Sequence, residues 1–228
     1  MFEEKFKSRK NDVYKRVRET DGEARFVVEK EFSEAKRFYM EYVLHDILAK
    51  GGLTVPRLLD FKAPEEDFNG KLIYEFLEGD LIIDILQDKG VAEEAMLKII
   101  DWMEGFYRVT SQGSGGEQWA LGDAHLRNFI YNRDRQIVYG FDFEESEKGG
   151  KERDIAKLFL YIATYEPAYS ERHMELAEYF LRESLKKFEY DKNSLLAEIS
   201  NEAERMEKRR QVDIKSELVI PVLQRVIV

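Results

Sequence analysis

Two acidic residues and one amide near the middle of the chain could together hold a divalent cation. They are Asp123, Asn128 and Asp142. Between Asn128 and Asp142 lie two short apolar runs around the polar stretch 132–136, which predicts a β-hairpin. A hairpin brings its two ends together, so Asn128 and Asp142 should lie side by side, with Asp123 across a loop. Carboxylate and amide oxygens are ligands that Mg²⁺ accepts.

This set of side chains favours one kind of chemistry. Protein-bound Mg²⁺ commonly keeps the phosphates of a nucleotide in its shell, and phosphoryl transfer needs a further carboxylate to orient and deprotonate an attacking hydroxyl. Asp123 is the candidate for that carboxylate. The alternative is an ordinary hairpin with polar loop residues, which any one of these side chains alone would fit. The whole set, closed by Asp-Phe-Glu at 142–144, favours a catalytic site.

The motif Gly-Asp-x-His-x-x-Asn at 122–128, followed by the hairpin and Asp-Phe-Glu, resembles the catalytic segment of the protein-kinase-like superfamily. In style it is closest to the aminoglycoside and choline phosphotransferases and to the lipopolysaccharide sugar kinases. The resemblance implies that Asp123 is the catalytic aspartate, that Asn128 and Asp142 bind magnesium, and that ATP and Mg²⁺ are the cofactors. The chain departs from the pattern at Leu121, where the family usually has His, and in a slightly longer spacing between the two acids.

The N-terminal part predicts a strand pair. Runs at 13–17 and 25–32 flank a turn at 20–23 that contains Asp-Gly, a strong hairpin signal. In the second run, Val-Val-Glu-Lys ending at Lys30 resembles the kinase third-strand motif, whose lysine holds the α- and β-phosphates. The alternative for Lys30 is a solvated charge on a strand edge.

A helix should follow, with Ser33 as its N-cap and Gly51-Gly52 after its last residue, Lys50. In the family pattern this helix supplies a glutamate that pairs with the strand lysine. Glu41 matches that position, and the resemblance therefore assigns it to nucleotide binding together with Lys30. Glu34 is the rival, on the first helical turn.

The run Lys71 to Leu77 resembles the hinge strand of this superfamily, with Tyr74 at the gatekeeper position. The resemblance implies that adenine bonds the backbone of Glu75 and Leu77. The alternative is a plain core strand. The glycine-rich loop is missing, because no glycine stands between Phe6 and Val17, so nucleotide binding is less firmly indicated than the catalytic residues.

The expected fold class is α+β, the two-lobed protein-kinase-like fold. Residues 1–78 would form an N-lobe with a small antiparallel sheet and one helix, and residues 79–228 a mainly helical C-lobe containing the catalytic hairpin. Apolar positions of helical period predict a helix over 91–109. Another helix should open at 153–158, a run that resembles one in the phosphotransferases whose acid braces the catalytic loop, and the resemblance gives this role to Asp154. As an acid at a helix start, Asp154 also fits a plain stabilising role with the helix dipole. The apolar tail 214–228 should pack on the body or on a partner, because an exposed apolar end is a liability.

Composition narrows the function classes. The 228 residues carry a net charge of -10 and include no cysteine, which excludes disulfides and thiolate metal sites and suits a reducing cytoplasm. The acidic balance argues against a nucleic-acid partner and suits a cationic, neutral or metal-chelated substrate. No apolar run is long enough to span a membrane, and the first residues lack the apolar core of a signal peptide.

Together these features predict an ATP- and Mg²⁺-dependent phosphotransferase that acts on a hydroxyl of a small molecule or sugar. Candidate acceptors are an amino sugar and a lipopolysaccharide core sugar. The alternatives are a compact atypical Ser/Thr protein kinase, like those of the tRNA-modification complex, and a catalytically weak pseudokinase that serves as a scaffold. The sequence indicates no oligomeric state.

Overall fold

A computed structural model describes residues 3–8, 10–20, 23–113, 115–210 and 214–227. The predicted turn residues Asp21 and Gly22 lie outside this part of the chain. The strands are β1 (Glu3–Phe6), β2 (Asp12–Thr20), β3 (Glu23–Glu31), β4 (Leu58–Lys62), β5 (Lys71–Glu75), β6 (Asp80–Leu81), β7 (Trp119–Ala120), β8 (Phe129–Asn132), β9 (Ile137–Gly140) and β10 (Glu147–Lys148). The helices are α1 (Ala35–Lys50), α2 (Lys89–Gly113), α3 (Lys151–Thr164), α4 (Glu171–Lys187), α5 (Lys192–Arg210) and α6 (Ser216–Val226).

The N-lobe is a five-stranded antiparallel sheet in the order β1-β2-β3-β5-β4, with α1 on one face. Phe38 of α1 packs with Phe32, Leu72 and Tyr74 in a small buried cluster. Lys30 pairs with Leu72 across the β3–β5 ladder. Since paired residues of neighbouring strands point to the same face, Lys30 is directed to the side of the sheet that α1 covers.

The predicted start of α1 is wrong. The helix begins at Ala35, and Glu34 takes the N-cap position without a side-chain hydrogen bond. Ser33 is engaged elsewhere, because its N–H donates to the side-chain oxygen of Asn11 and its carbonyl accepts from the amide of Asn69. The predicted end is confirmed, since the helix stops at Lys50 and the N–H of Gly51 bonds back to the last turn.

The C-lobe is mainly helical and contains the predicted hairpin. Strands β8 and β9 pair antiparallel from Phe129 opposite Gly140 to Asn132 opposite Ile137, which confirms the hairpin. Strand β6 extends this sheet, and β7 pairs with β10 beside it. Helix α3 is the centre of the lobe: each of its residues from 154 to 164 is buried. It packs against both α4 and α5.

The apolar tail packs on the body, as predicted. Helix α6 lies against α4, and Val219, Val222 and Ile227 are buried there. Leu218 and Ile220 remain exposed. Within the ranges given above, no helix has both the length and the apolar character needed to cross a membrane.

Gly140, at the end of β9, allows the hairpin to approach Trp102 of α2. A Cβ at this position would lie 2.3 to 2.7 Å from atoms of the indole ring, which is held by a 2.8 Å bond from its N–H to the carbonyl of Thr54. We expect Gly140→Ala to lower the free energy of unfolding by about 1–3 kcal/mol, the usual cost of overpacking, measured by urea denaturation.

Gly90→Ala is the matched control for this substitution. Gly90 lies in the first turn of α2, and nothing lies within 4 Å of a Cβ added there. The control should leave stability unchanged or raise it by up to about 1 kcal/mol. Equal effects of the two substitutions would contradict the assigned role of Gly140.

Candidate active site

One ammonium group lies among three carboxylates at the junction of the sheet, α1 and the segment after β9. The Nζ of Lys30 is 2.6 Å from Oδ1 of Asp142, 3.0 Å from Oε2 of Glu144 and 3.2 Å from Oε2 of Glu41. The residues therefore come from β3, from α1 and from the Asp-Phe-Glu segment. The structure brings together Lys30, Glu41 and Asp142, three of the residues singled out from the sequence.

Glu41 connects more elements than the sequence suggested. Its side chain is buried, with only 2% of the residue exposed, and it accepts hydrogen bonds from three directions. Lys30 donates to it, the Tyr74 hydroxyl donates at 3.1 Å, and the backbone N–H of Phe143 donates at 2.7 Å. The rival acid Glu34 is exposed and pairs with Arg37 instead. Of the two acids, the structure brings Glu41 to Lys30.

This cluster combines a buried ammonium with oxygen donors at a spacing that could hold a metal ion. Burial disfavours the charge of Lys30, but Asp142, Glu41 and Glu144 outweigh that effect and raise the pKa of its ammonium well above the ordinary value. One oxygen from each of these three acids lies within 4.8 Å of the others. Glu144 also pairs with Arg37, so its charge is shared between two cations. The carboxylate oxygens at this spacing are donors of the kind that a hard cation such as Mg²⁺ accepts.

Asp123 lies on the loop between β7 and β8, beside the same cluster. It lines a small cavity of about 10 Å³ together with Asn128 and Asp142. The side-chain amide of Asn128 donates to the backbone carbonyl of Asp123 at 2.9 Å. The N–H of Phe141 donates to the carbonyl of Asn128, which ties the two ends of the hairpin together. Asp123, Asn128 and Asp142 thus lie around one small cavity, as the predicted hairpin implied.

Only glycine fits the position before Asp123. Gly122 has φ +73°, and a Cβ built there would lie 1.9 Å from the carbonyl oxygen of Glu145. The loop therefore passes directly against the segment that follows Asp-Phe-Glu. This close approach relies on the missing side chain and on the left-handed backbone conformation.

The carboxylate of Asp123 is flanked by two nitrogen groups. Nε2 of His125 is 3.4 Å from its Oδ2, and Nζ of Lys157 is 3.4 Å from its Oδ1. Burial acts to raise the pKa of Asp123, but hydrogen bonding and charge from His125, followed by the ammonium of Lys157, hold it well below the ordinary value. Asp123 is therefore ionised throughout the physiological pH range and can accept a hydrogen bond from an incoming hydroxyl.

Asp154 braces the backbone of the loop that carries Asp123, as the resemblance implied. Its carboxylate accepts from the N–H of Leu121 at 2.8 Å and from the Tyr107 hydroxyl at 3.1 Å. Burial raises the pKa of Asp154 to about 6, against the lowering effect of these hydrogen bonds and of Lys157. Leu121, which stands where the family usually has His, is itself buried.

The residues predicted to form the hinge lie at the end of β5, which stops at Glu75, two residues earlier than the predicted strand. Glu75 is the last residue of the strand, and its N–H donates to the carbonyl of Arg57 at 3.0 Å. Leu77 lies two residues further on, before β6. Gly79 has φ +145°, and a Cβ there would lie 2.7 Å from the carbonyl oxygen of Tyr131, so the connection crosses close to the catalytic hairpin.

Sequence reasoning assigned no role to several residues of the site. Glu144 bonds to Lys30, to Arg37 and to the side-chain amide of Asn11. Lys10, on the same β1–β2 loop as Asn11, pairs with Glu145. This loop without glycine is thus fastened to the segment after β9. The place of Glu144 in Asp-Phe-Glu was a usable signal, whereas these contacts more than 100 residues apart in sequence have no local signal.

Comparison with solved structures identifies the architecture. The kinase PK-1 of Cydia pomonella granulovirus superposes with a TM-score of 0.51 over 78% of this chain and 69% of its own, at 18% identity. The fold is protein-kinase-like. The aminoglycoside phosphotransferase APH(4)-Ia gives a TM-score of 0.48 over 82% of this chain and 83% of its own, at 16% identity. Neither the protein-family models nor the curated proteins compared with this sequence match it.

The raised pKa of Asp154 makes the stability of the protein depend on pH. The folded state binds this proton more tightly than the unfolded chain, whose carboxyl has the ordinary value of 3.8. The stabilising effect is therefore complete below pH 3.8 and is lost as the pH rises through about 6. We expect the free energy of unfolding of the wild type, relative to Asp154→Asn, to fall by about 3 kcal/mol over this range. Urea denaturation at a series of pH values measures it, and a difference that does not change with pH would contradict it.

Proposed function

We propose that this protein is an ATP- and Mg²⁺-dependent phosphotransferase that moves the γ-phosphoryl group to a hydroxyl of a small molecule or sugar. The observation that carries the proposal is the convergence of Lys30, held by Glu41, with Asp142 and Asp123 at one site. The fold shared with a viral kinase supports it. Bringing charged groups from distant parts of the chain together costs desolvation free energy. Their convergence therefore favours a function in binding a charged ligand.

Each residue has a proposed role. Lys30, fixed by Glu41, grips the nucleotide phosphates. Asn128 and Asp142 hold Mg²⁺, which when bound neutralises charge on the transferring phosphoryl group. The backbone of Glu75 and Leu77 receives the adenine. In addition to these residues, Glu144 supplies an oxygen within the same acidic cluster.

Asp123 orients the acceptor hydroxyl. As the acceptor oxygen bonds to phosphorus, the bond from phosphorus to the ADP oxygen breaks, and Asp123 takes the hydroxyl proton. Its lowered pKa makes Asp123 a weak base. That property suits a loose transition state, in which orientation and charge stabilisation matter more than early proton removal.

A small-molecule or sugar acceptor is favoured over a protein side chain. The segment after Asp142 is short and fastened down, because β10 pairs with β7 and the hydroxyl of Ser146 donates to the carbonyl of Leu121. It offers no long regulatory loop. The net charge of -10 suits a cationic or neutral acceptor. A compact Ser/Thr protein kinase is the alternative within the same chemistry.

A second candidate is a pseudokinase scaffold. Two observations favour it: Leu121 stands in place of the usual His, and the β1–β2 loop is tied to Glu144 and Glu145 rather than presenting glycines to phosphates. The acidic cluster and Asp123 favour catalysis.

We also propose that the lobes divide at residues 78/79, next to the close approach of Gly79 to Tyr131. We further propose that the protein is cytoplasmic.

The catalytic role of Asp123 is tested by Asp123→Asn, which is nearly isosteric and removes the charge that orients the hydroxyl. We expect the variant to fold normally and to lose at least about 10³-fold in turnover. ATP consumption with Mg²⁺ should be measured across amino sugars, lipid-core sugars and protein acceptors. Asp134→Asn, in the exposed hairpin turn, is the matched control and should be fully active. Equal activity of Asp123→Asn and the wild type would contradict the catalytic role of Asp123.

The metal role of Asp142 is tested by ligand-induced thermal stabilisation, because a ligand that binds the native state raises the melting temperature by mass action. ATP should stabilise the wild type only when Mg²⁺ is present. Asp142→Asn should lose most of this Mg²⁺-dependent shift, and Asp134→Asn should keep it. A shift that is the same in the wild type and in Asp142→Asn would contradict metal binding at Asp142.

A further inference from the structure

A lysine is buried in the core of the C-lobe, and the roles assigned so far do not use it. Lys157 lies in the stretch of α3 in which every residue from 154 to 164 is buried, and only 7% of it is exposed. Lysine is almost never buried unless its charge is paired. The groups that the Lys157 ammonium contacts should therefore indicate its role.

The ammonium of Lys157 contacts the catalytic loop at two points. Nζ donates to the carbonyl oxygen of Gly122 at 2.5 Å and lies 3.4 Å from Oδ1 of Asp123. The other oxygen of this carboxylate lies beside His125. The two oxygens of Asp123 are thus flanked by groups from different elements, one on α3 and one on the loop itself. These contacts on both oxygens restrict the rotation of the carboxylate.

Lys157 continues the support that Asp154 begins. Residues three apart lie on one face of a helix, and Asp154 holds the N–H of Leu121 while Lys157 holds the carbonyl of Gly122. Two successive turns of α3 therefore form hydrogen bonds with two successive residues of the loop, Leu121 and Gly122. Of the pair, only Lys157 also reaches the side chain of Asp123.

We propose that Lys157 is a positioning residue for phosphoryl transfer, which holds the Asp123 carboxylate in the orientation that receives the acceptor hydroxyl. This inference rests on the proposed function. Gly122 directly precedes Asp123, so the bond from Lys157 to the Gly122 carbonyl acts on the peptide unit that carries Asp123. A misplacement of about 1 Å at a reacting group can cost about 10²-fold in rate.

The test uses the full chain with three variants. Lys157→Met keeps the length of the side chain and removes the charge, Lys157→Arg keeps a charge, and Lys151→Met removes a lysine from the first turn of the same helix. The readout is Mg²⁺-dependent ATP turnover, with water as acceptor and with any acceptor that the panel identifies. We expect Lys157→Met to lower kcat by about 10²-fold with KM for ATP changed by less than about two-fold. Lys157→Arg should recover at least about ten-fold of the loss, and Lys151→Met should match the wild type.

A double-mutant cycle separates positioning from a merely structural role. If Lys157 acts through Asp123, Lys157→Met should change the residual single-turnover rate of Asp123→Asn by less than about two-fold. A structural role would lower the rate by the same factor in both backgrounds. If Lys157→Met does not fold, Lys157→Gln, which keeps a hydrogen-bond donor without charge, replaces it in the same cycle.

The outcomes are distinct. A folded Lys157→Met variant with wild-type kcat, or equal losses in both backgrounds, would overturn this inference and leave the proposed function intact. A wild-type protein without turnover for any acceptor, or with turnover equal to that of Asp123→Asn, would overturn the proposed function and this inference together.

Discussion

The site depends on the compensation of buried negative charge by the ammonium of Lys30. Glu41 from α1, and Asp142 and Glu144 from the segment after β9, all lie within 3.2 Å of this one nitrogen. Without it, the buried carboxylates of Glu41 and Glu144 would face each other and the partly exposed carboxylate of Asp142, at a cost of several kcal/mol. The ammonium therefore fixes α1 against the sheet and the N-lobe against the segment after the catalytic hairpin. Oxygens of these three carboxylates, one from each, lie within 4.8 Å of one another and are donors that suit a divalent cation.

The loop that carries Asp123 is likewise held by buried charged side chains, here from a helix of the C-lobe. Asp154 and Lys157, buried on consecutive turns of α3, bond to the loop residues just before Asp123. In both lobes a helix carries the buried charge and a loop or strand end carries the residue that would contact the nucleotide or acceptor. Rigid elements position reactive groups more accurately than loops do on their own. Gly122 lies against Glu145, whose side chain pairs with Lys10 and Arg37, so this loop is also linked to the N-lobe.

The sequence predicted the features that have local signals. The hairpin followed from two apolar runs around a polar turn, and the pairing of Lys30 with Glu41 followed from the resemblance of their surroundings to kinase elements. The predicted cap at Ser33 was wrong: Glu34 takes the N-cap position, and the backbone groups of Ser33 bond to Asn11 and Asn69. The contact between Asn11 and Glu144 and the grip of Lys157 on the loop depend on tertiary folding, so no spacing in the sequence reveals them. For the contact of Lys157 with the loop, the one clue in the sequence was a lysine within the buried face of a helix.

The central claim is that the Lys30 cluster binds the phosphates of a nucleotide together with a metal. The most direct test is calorimetric titration of ATP, with and without Mg²⁺, into the wild type and Lys30→Met. Lys36→Met, at an exposed position of α1, is the matched control. We expect ATP to bind the wild type and the control in the presence of Mg²⁺, and Lys30→Met to bind at least about ten-fold more weakly, since a lost charged contact costs about 1.5–3 kcal/mol. Equal affinity in all three proteins, or no binding by the wild type, would contradict the account.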